Sequence, residues 1–280
     1  MDVTPGVSRG RRALARRPLL VTLFGGVGAA LVLFGPLAAV AEDAVSVRLA
    51  AEAWRCEVPA HLLESPFALP RVAHRLSLAE PLKIVAIGSS STAGAGASSP
   101  SATYPARLQA ELARLFPGSP IAVVNKGVGG ESAKQMVARF QRDVVQQNPD
   151  LVIWQTGTNS ALRRGSYEEL VDNLGAGIAI ARRANIDIVL MGPQKAPAFD
   201  AVPGHGARIE QVAAIAKTNG APFFDRYAAM QHWHASGQIA LGAAIDRDGL
   251  HMTDQSYYCV GRLLGRMIAN LAAAKLAVSR

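Results

Sequence analysis

The 280-residue chain has little cysteine, few aromatic residues and a low density of charge: two cysteines, 6 % Phe, Trp and Tyr, and 18 % Asp, Glu, Lys and Arg. Two cysteines exclude a miniature scaffold built on disulfides, and Cys56 and Cys259 lack the spacing of metal ligands. In an oxidising compartment such a pair forms one disulfide; the bland alternative is two unrelated buried thiols. The expectation adopted is a Cys56–Cys259 bridge. No basic stripe interleaved with aromatics occurs after residue 41, so no nucleic-acid partner is expected. The formal charge of +8 divides evenly, +4 on residues 1–41 and +4 on the remaining 239. The Gly- and Ser-rich stretch GSSSTAGAG (88–96) lacks the lysine of a P-loop, and no G-x-G-x-x-G opens a helix after a strand. A nucleotide-phosphate loop is therefore excluded, and neither a cofactor nor a metal is expected.

Long apolar runs are confined to one place. Arg9, Arg11, Arg12, Arg16 and Arg17 precede a charge-free stretch over residues 19–41, in which Pro36 stands shortly before Ala39-Val40-Ala41. Basic residues, an apolar segment and a small-x-small tripeptide form the pattern of a signal peptide. The stretch is also long enough to cross a bilayer as an uncleaved anchor. Under either reading the arginines stay inside and the rest of the chain is exported: periplasmic or secreted, or tethered to the inner membrane facing outward.

Residues 42–81 show no clean periodicity and read as an irregular or partly helical lead-in to a domain at 82–280. There a rhythm begins. Short branched or aromatic runs recur as LKIVAIG (82–88), IAVVN (121–125), LVIWQTG (151–157), IDIVLMG (186–192) and APFFD (221–225). Each ends at Gly, Asn or Asp, as buried parallel strands do. Helical spacing fills the intervals at 103–116, 131–147, 166–184 and 207–220, and again from about 253 to 276. This alternation predicts an α/β fold, an open sheet of five parallel strands with helices on both faces.

In such sheets chemistry collects beyond the carboxyl ends of the strands. Three loops there hold Gly88-Ser89-Ser90-Ser91, then Asn125, Gly127, Gly129 and Gly130, then Gly157-Thr158-Asn159-Ser160. A hydroxyl, glycine amides and a side-chain amide are the set that acyl transfer requires. Near the chain's end DRDGLHMTD sets Asp248 three residues before His251, close enough to fold back and hold the imidazole. His61, His74, His205, His232 and His234 have no carboxylate so placed. The segment 192–206 follows the fourth strand and is expected to line the rim; Gln194 and Lys195 there either contact a polar substrate or are solvated.

These blocks resemble the SGNH/GDSL hydrolase superfamily. Gly88-Ser89-Ser90-x-x-x-Gly94 is similar to its nucleophile block, Asn125-x-Gly127-x-x-Gly130 to its second, Gly157-x-Asn159 to its third and Asp248-x-x-His251 to its last, over about residues 82–275. The resemblance implies a three-layer, flavodoxin-like fold. It makes Ser90 the nucleophile, with Asp248 and His251 completing a triad. The oxyanion hole falls to the Ser90 and Gly130 amides and the Asn159 side chain. Two departures stand out: Ser89 occupies a position usually held by Asp, and Ser160 follows Asn159 where Asp is frequent. Ser89 and Ser91 are read as hydroxyls that satisfy turn amides. The function implied is an exported serine hydrolase of acetyl or short acyl esters, acting on a small-molecule or polysaccharide ester such as an acylated carbohydrate or envelope polymer. The alternatives are an acyltransferase on the same scaffold and a non-catalytic envelope or carbohydrate-binding protein.

Overall fold

The computed structural model describes residues 54–278. The stretch at 19–41, read as a signal peptide or anchor, lies outside them. Among the described residues no helix is long and apolar enough to cross a membrane.

Five parallel strands form one sheet in the order β2-β1-β3-β4-β5: β1 Leu82–Gly88, β2 Ile121–Gly127, β3 Leu151–Gln155, β4 Asp187–Met191 and β5 Phe223–Phe224. Side chains alternate between the two faces of a strand, and both faces here are apolar. Ile84 and Ala86 of β1, Ile153 of β3 and Val189 of β4 join one core, while Val85, Ile87, Val152, Trp154 and Leu190 join the other. Burial on both sides explains why β1 and β3 read as unbroken apolar runs.

The first face is covered by α1 (Pro70–Ser77), α3 (Tyr104–Leu115) and the long α12 (Asp254–Val278), with Leu108 and Leu112 of α3 meeting Leu263, Leu264 and Met267 of α12 in one core. The second is covered by α4 (Ala133–Ala138), α5 (Phe140–Asp143), α7 (Tyr167–Arg183) and α9 (His205–Thr218), through Met136, Phe140, Leu174, Ile178 and Val212. Shorter helices complete the chain: α2 (Ser90–Ala93), α6 (Thr158–Leu162), α8 (Pro197–Asp200), α10 (Arg226–Ala235) and α11 (Leu241–Ala244).

Several expectations need correction. β2 is not a buried strand but the sheet edge, half-buried along its length. β5 contains only two residues. The helix expected over 131–147 is broken into α4, α5 and a 3-10 turn at Val145–Gln147. The first break falls at Arg139, whose backbone (φ −106°, ψ 2°) leaves the helical region while its buried guanidinium is held by three separate acceptors. α10 was not anticipated; its buried apolar face is only Ala229, Met230 and Trp233, beside the buried Arg226. The lead-in is helical at α1, where Arg71 and Arg75 each donate through Nε to Asp150 Oδ1, at 2.8 and 3.0 Å. Asp150 in turn accepts from the Lys83 amide at 3.0 Å. This ion-paired carboxylate fastens the lead-in beneath β1 and β3.

A disulfide joins Cys56 to Cys259, with a Cα–Cα separation of 5.2 Å, and pins the lead-in to α12. It closes a loop of 203 residues, for which chain entropy sets a ceiling of about 5 kcal/mol. Replacing both cysteines by serine is expected to lower the urea midpoint. Two free thiols in unreduced peptides of the oxidised protein, or an unshifted midpoint, would contradict this role.

Candidate active site

The chain leaves β1 through Ser89 and turns at once into α2, which begins at Ser90. Three donors converge on Gln155 Oε1 at the end of β3: the Ser89 amide at 2.9 Å, Ser89 Oγ at 3.0 Å and Thr92 Oγ1 at 3.2 Å. Asn125 Nδ2 donates to the Thr92 carbonyl at 2.7 Å from the neighbouring strand. Gly127 packs so closely on α2 that a Cβ there would collide with the Ala93 amide. The Ser89 amide must face an acceptor, which fixes the orientation of Gln155. A hydroxyl at position 89 can donate to that oxygen, whereas a carboxylate would oppose it. This accounts for Ser89 in place of Asp. It also corrects the expectation for its hydroxyl, which serves the Gln155 side chain and not a turn amide.

Ser90 Oγ lies 2.8 Å from His251 Nε2. His251 Nδ1 in turn contacts Asp248 Oδ2. The other carboxylate oxygen accepts the Leu250 and His251 amides, both at 2.9 Å, so Asp248 is aimed before the imidazole arrives. Burial pushes the Asp248 carboxyl up, but the two amides and the ring outweigh it and bring its pKa down to about 2. The loop is closed by an antiparallel bridge between Ile245 and Met252 and by the Asp246 amide donating to the His251 carbonyl at 2.8 Å. No other histidine among the described residues bonds to Ser90 or Asp248. His205 contacts Tyr227, and His232 and His234 lie on α10. Among the described residues no cluster of His, Cys, Asp and Glu could hold a metal ion.

Facing Ser90 is the loop after β2. The Val128 amide donates to the Gly88 carbonyl at 3.0 Å and draws this loop onto the start of α2. Gly130 adopts a left-handed conformation (φ +78°), which a side chain would strain. Its carbonyl is held by Arg163 Nη2 at 2.6 Å. Asn159 Nδ2 donates to the Glu131 carbonyl at 3.0 Å; its second N–H remains for another acceptor. Gly130 and Asn159, from different loops, are thus joined through Glu131. Arg139 locks the arrangement by donating to Glu131 Oε2 at 2.7 Å, Asp143 Oδ2 at 2.9 Å and the Gly88 carbonyl at 3.2 Å.

Gln194 is neither solvated nor on the substrate side, contrary to both readings of the sequence. It is 1 % exposed. Its Oε1 accepts from Thr158 Oγ1 at 3.0 Å and from Arg226 Nη2 at 2.7 Å, and its Nε2 donates to the Leu250 carbonyl at 3.1 Å. One amide therefore ties the residue before Asn159 to the residue before His251. Lys195 is engaged with Asp200 at 2.8 Å. Arg226 is fully buried with no carboxylate partner among the described residues. Gln155, Arg139 and Arg226 were missed in the sequence. A glutamine at the end of the apolar run LVIWQ carried the one readable signal, since a buried amide must be hydrogen-bonded.

A doubly wound parallel sheet whose first, second, third and last loops bring a serine, a glycine, an asparagine and an Asp–His pair to one rim defines the SGNH/GDSL hydrolase superfamily. Within it the chain belongs to the non-GDSL lipase-like family, whose sequence model matches residues 55–274. It is 36 % identical over 61 residues to an acetylxylan esterase of Geobacillus stearothermophilus, a match covering 22 % of this chain and 28 % of that enzyme. It is 26 % identical over 168 residues to the esterase TesA of Pseudomonas aeruginosa, covering 60 % of this chain and 78 % of TesA. Among solved structures, a two-domain esterase active on acetylated mannans superposes with a TM-score of 0.62 at 21 % identity, over 74 % of this chain and 55 % of that one.

The buried amide of Gln194 supplies the sharpest test of the site's framework. Gln194→Met keeps the volume but strands Thr158 Oγ1, Arg226 Nη2 and the Leu250 carbonyl. The expected cost is about 1–3 kcal/mol in denaturant unfolding. A loss below about 0.5 kcal/mol would show that these bonds hold nothing.

Proposed function

We propose that the chain is a serine esterase that removes acetyl or short acyl groups from carbohydrate. The observation that carries this reading is the unbroken line from Ser90 Oγ through His251 to Asp248. In the proposed reaction His251 Nε2 takes the Ser90 proton as Oγ attacks the ester carbon. The imidazolium so formed is stabilised by Asp248, which keeps the Nδ1–H tautomer in place. Negative charge gathers on the former carbonyl oxygen, where the Ser90 and Gly130 amides and the free N–H of Asn159 are the donors to receive it. His251 returns its proton to the leaving alcohol, leaving an acyl group on Ser90. Water, activated by the same imidazole, then releases the acid and restores the serine.

The choice of substrate rests on two relatives with carbohydrate esters in their names, the acetylxylan esterase and the esterase active on acetylated mannans. An exported enzyme is part of the proposal. Its support is the arginine-led apolar stretch at 19–41 and a disulfide of the kind that persists in oxidising compartments.

Ser90→Ala is expected to lower turnover of p-nitrophenyl acetate by about four to six decades while the protein remains folded. A fluorophosphonate should label Ser90 in the unsubstituted enzyme. Near-normal turnover by the variant, or a label on another serine, would refute the assignment.

The pH profile tests the Asp–His pair separately. With its pKa at about 2, Asp248 is ionised throughout any practical assay range. Asp248 therefore adds no protonation step on the acid limb, and Nε2 must carry no proton if it is to take that of Ser90. Log kcat/KM should rise with a slope of one and level off. A slope of two would mean that Asp248 titrates as well.

A further inference from the structure

A cavity of about 380 Å³ opens between the end of α6 and the start of α9, lined by Ala161, Arg164, Val202, Gly204, Arg208 and Gln211. Its size is in the range of small-ligand sites. Its lining residue Ala161 sits on α6 two residues after Asn159, and Arg164 follows the end of that helix. The cavity therefore adjoins the helix that carries Asn159. Its other wall is the segment after β4.

The charge of this cavity sets it apart. Arg71, Arg75, Arg114, Arg139, Arg142, Arg262 and Arg266 each lie against a carboxylate. Arg164 and Arg208, which line the cavity, do not, and no carboxylate lines it with them. Arg163 and Arg208 donate to carbonyls, those of Gly130 and Gly165, and so keep their full positive charge near the rim. Arg164 is exposed, and its backbone is left-handed (φ +55°), a conformation that disfavours arginine. Arg208 Nη1 and Gln211 Oε1, one turn apart on α9, are buried and have no partner. Unpaired buried polar atoms are few in native proteins, and each calls for an explanation. The first turn of α9 also lacks a side-chain cap. A wall with uncompensated cations and an unmet Arg208 N–H does little for the fold and suits an anion, while Gln211 Oε1 is an acceptor that a sugar hydroxyl can meet.

We propose that this cavity is an anion subsite that selects esters on negatively charged saccharides, with the carboxylate of a sugar acid as its ligand. A planar guanidinium fork matches a carboxylate in two parallel bonds. The inference rests on the serine-esterase reading for its reaction but on separate residues for its binding.

The test compares acetylated xylo-oligosaccharides bearing glucuronic acid with neutral acetylated xylo-oligosaccharides. Arg164 is exposed and bears no structural contact, so Arg164→Glu is expected to fold. The ratio of kcat/KM for acidic over neutral substrate should be well above one in the natural sequence. It should fall about tenfold or more in Arg164→Glu, the scale of one charge-assisted contact, and by less in Arg164→Gln. A ratio of one, or a ratio that Arg164→Glu leaves untouched, would overturn the subsite. Inorganic phosphate competing better than free glucuronate would overturn the carboxylate assignment. If p-nitrophenyl acetate is not turned over and the fluorophosphonate does not react, the esterase reading is what fails. Calorimetric titration of glucuronate into the natural protein and Arg164→Glu then decides the subsite alone: binding lost on substitution supports it, and binding that is absent or unaltered overturns it.

Discussion

One side-chain oxygen, Gln155 Oε1, holds the turn on which the rest of the site depends. It stands at the end of the central strand β3, 1 % exposed, and accepts from Ser89 and Thr92 on the adjacent β1 turn. Without it the Ser89 amide and hydroxyl would be shut away from water unpaired, at a cost comparable to a large share of a domain's net stability. The turn is thereby forced to begin at Ser90, with its hydroxyl directed out of the sheet and toward the histidine loop. Close approach of Gly127 from the other side leaves the turn no room to relax.

The rest of the rim follows the same pattern. Buried amides and guanidiniums, and not apolar contacts, set the spacing between loops. Arg139 couples the loop of Gly130 to the end of β1, and Gln194 couples the loop of Asn159 to that of His251. Parallel strands bring these loops to one edge but leave their heights and angles free. Polar ties have directions, so they fix what packing leaves open. Asp248 shows the same principle at short range, since two backbone amides orient it before it meets the ring.

Much of this was legible in the sequence. Apolar runs bounded by glycine placed β1, β3 and β4 to within a residue or two, because a strand buried on both faces has no polar positions to blur its edges. β5, with two residues, and α10, with a narrow apolar face, carry too weak a period to be read. The helix break at Arg139 is invisible locally; it arises from Gly88 and Glu131, which are distant or not helical. Asp248 and His251 could be paired from their spacing, and Ser90 was singled out through the resemblance to the SGNH/GDSL blocks; the structure brings the three side chains together. Gln194 was misread because nothing near it in sequence reveals that Thr158, Arg226 and Leu250 surround it.

The Cys56–Cys259 bridge also has a mechanical meaning. Both chain ends lie outside the loop it closes, and the two Cα atoms are 5.2 Å apart. Tension applied between the ends therefore passes from one sulfur to the other through covalent bonds. The 203-residue loop, which contains all five strands and the whole rim, is bypassed like a component wired in parallel with a short circuit. Pulling would load α12 from Cys259 onward, the greater part of that helix, and leave the strands out of the covalent path.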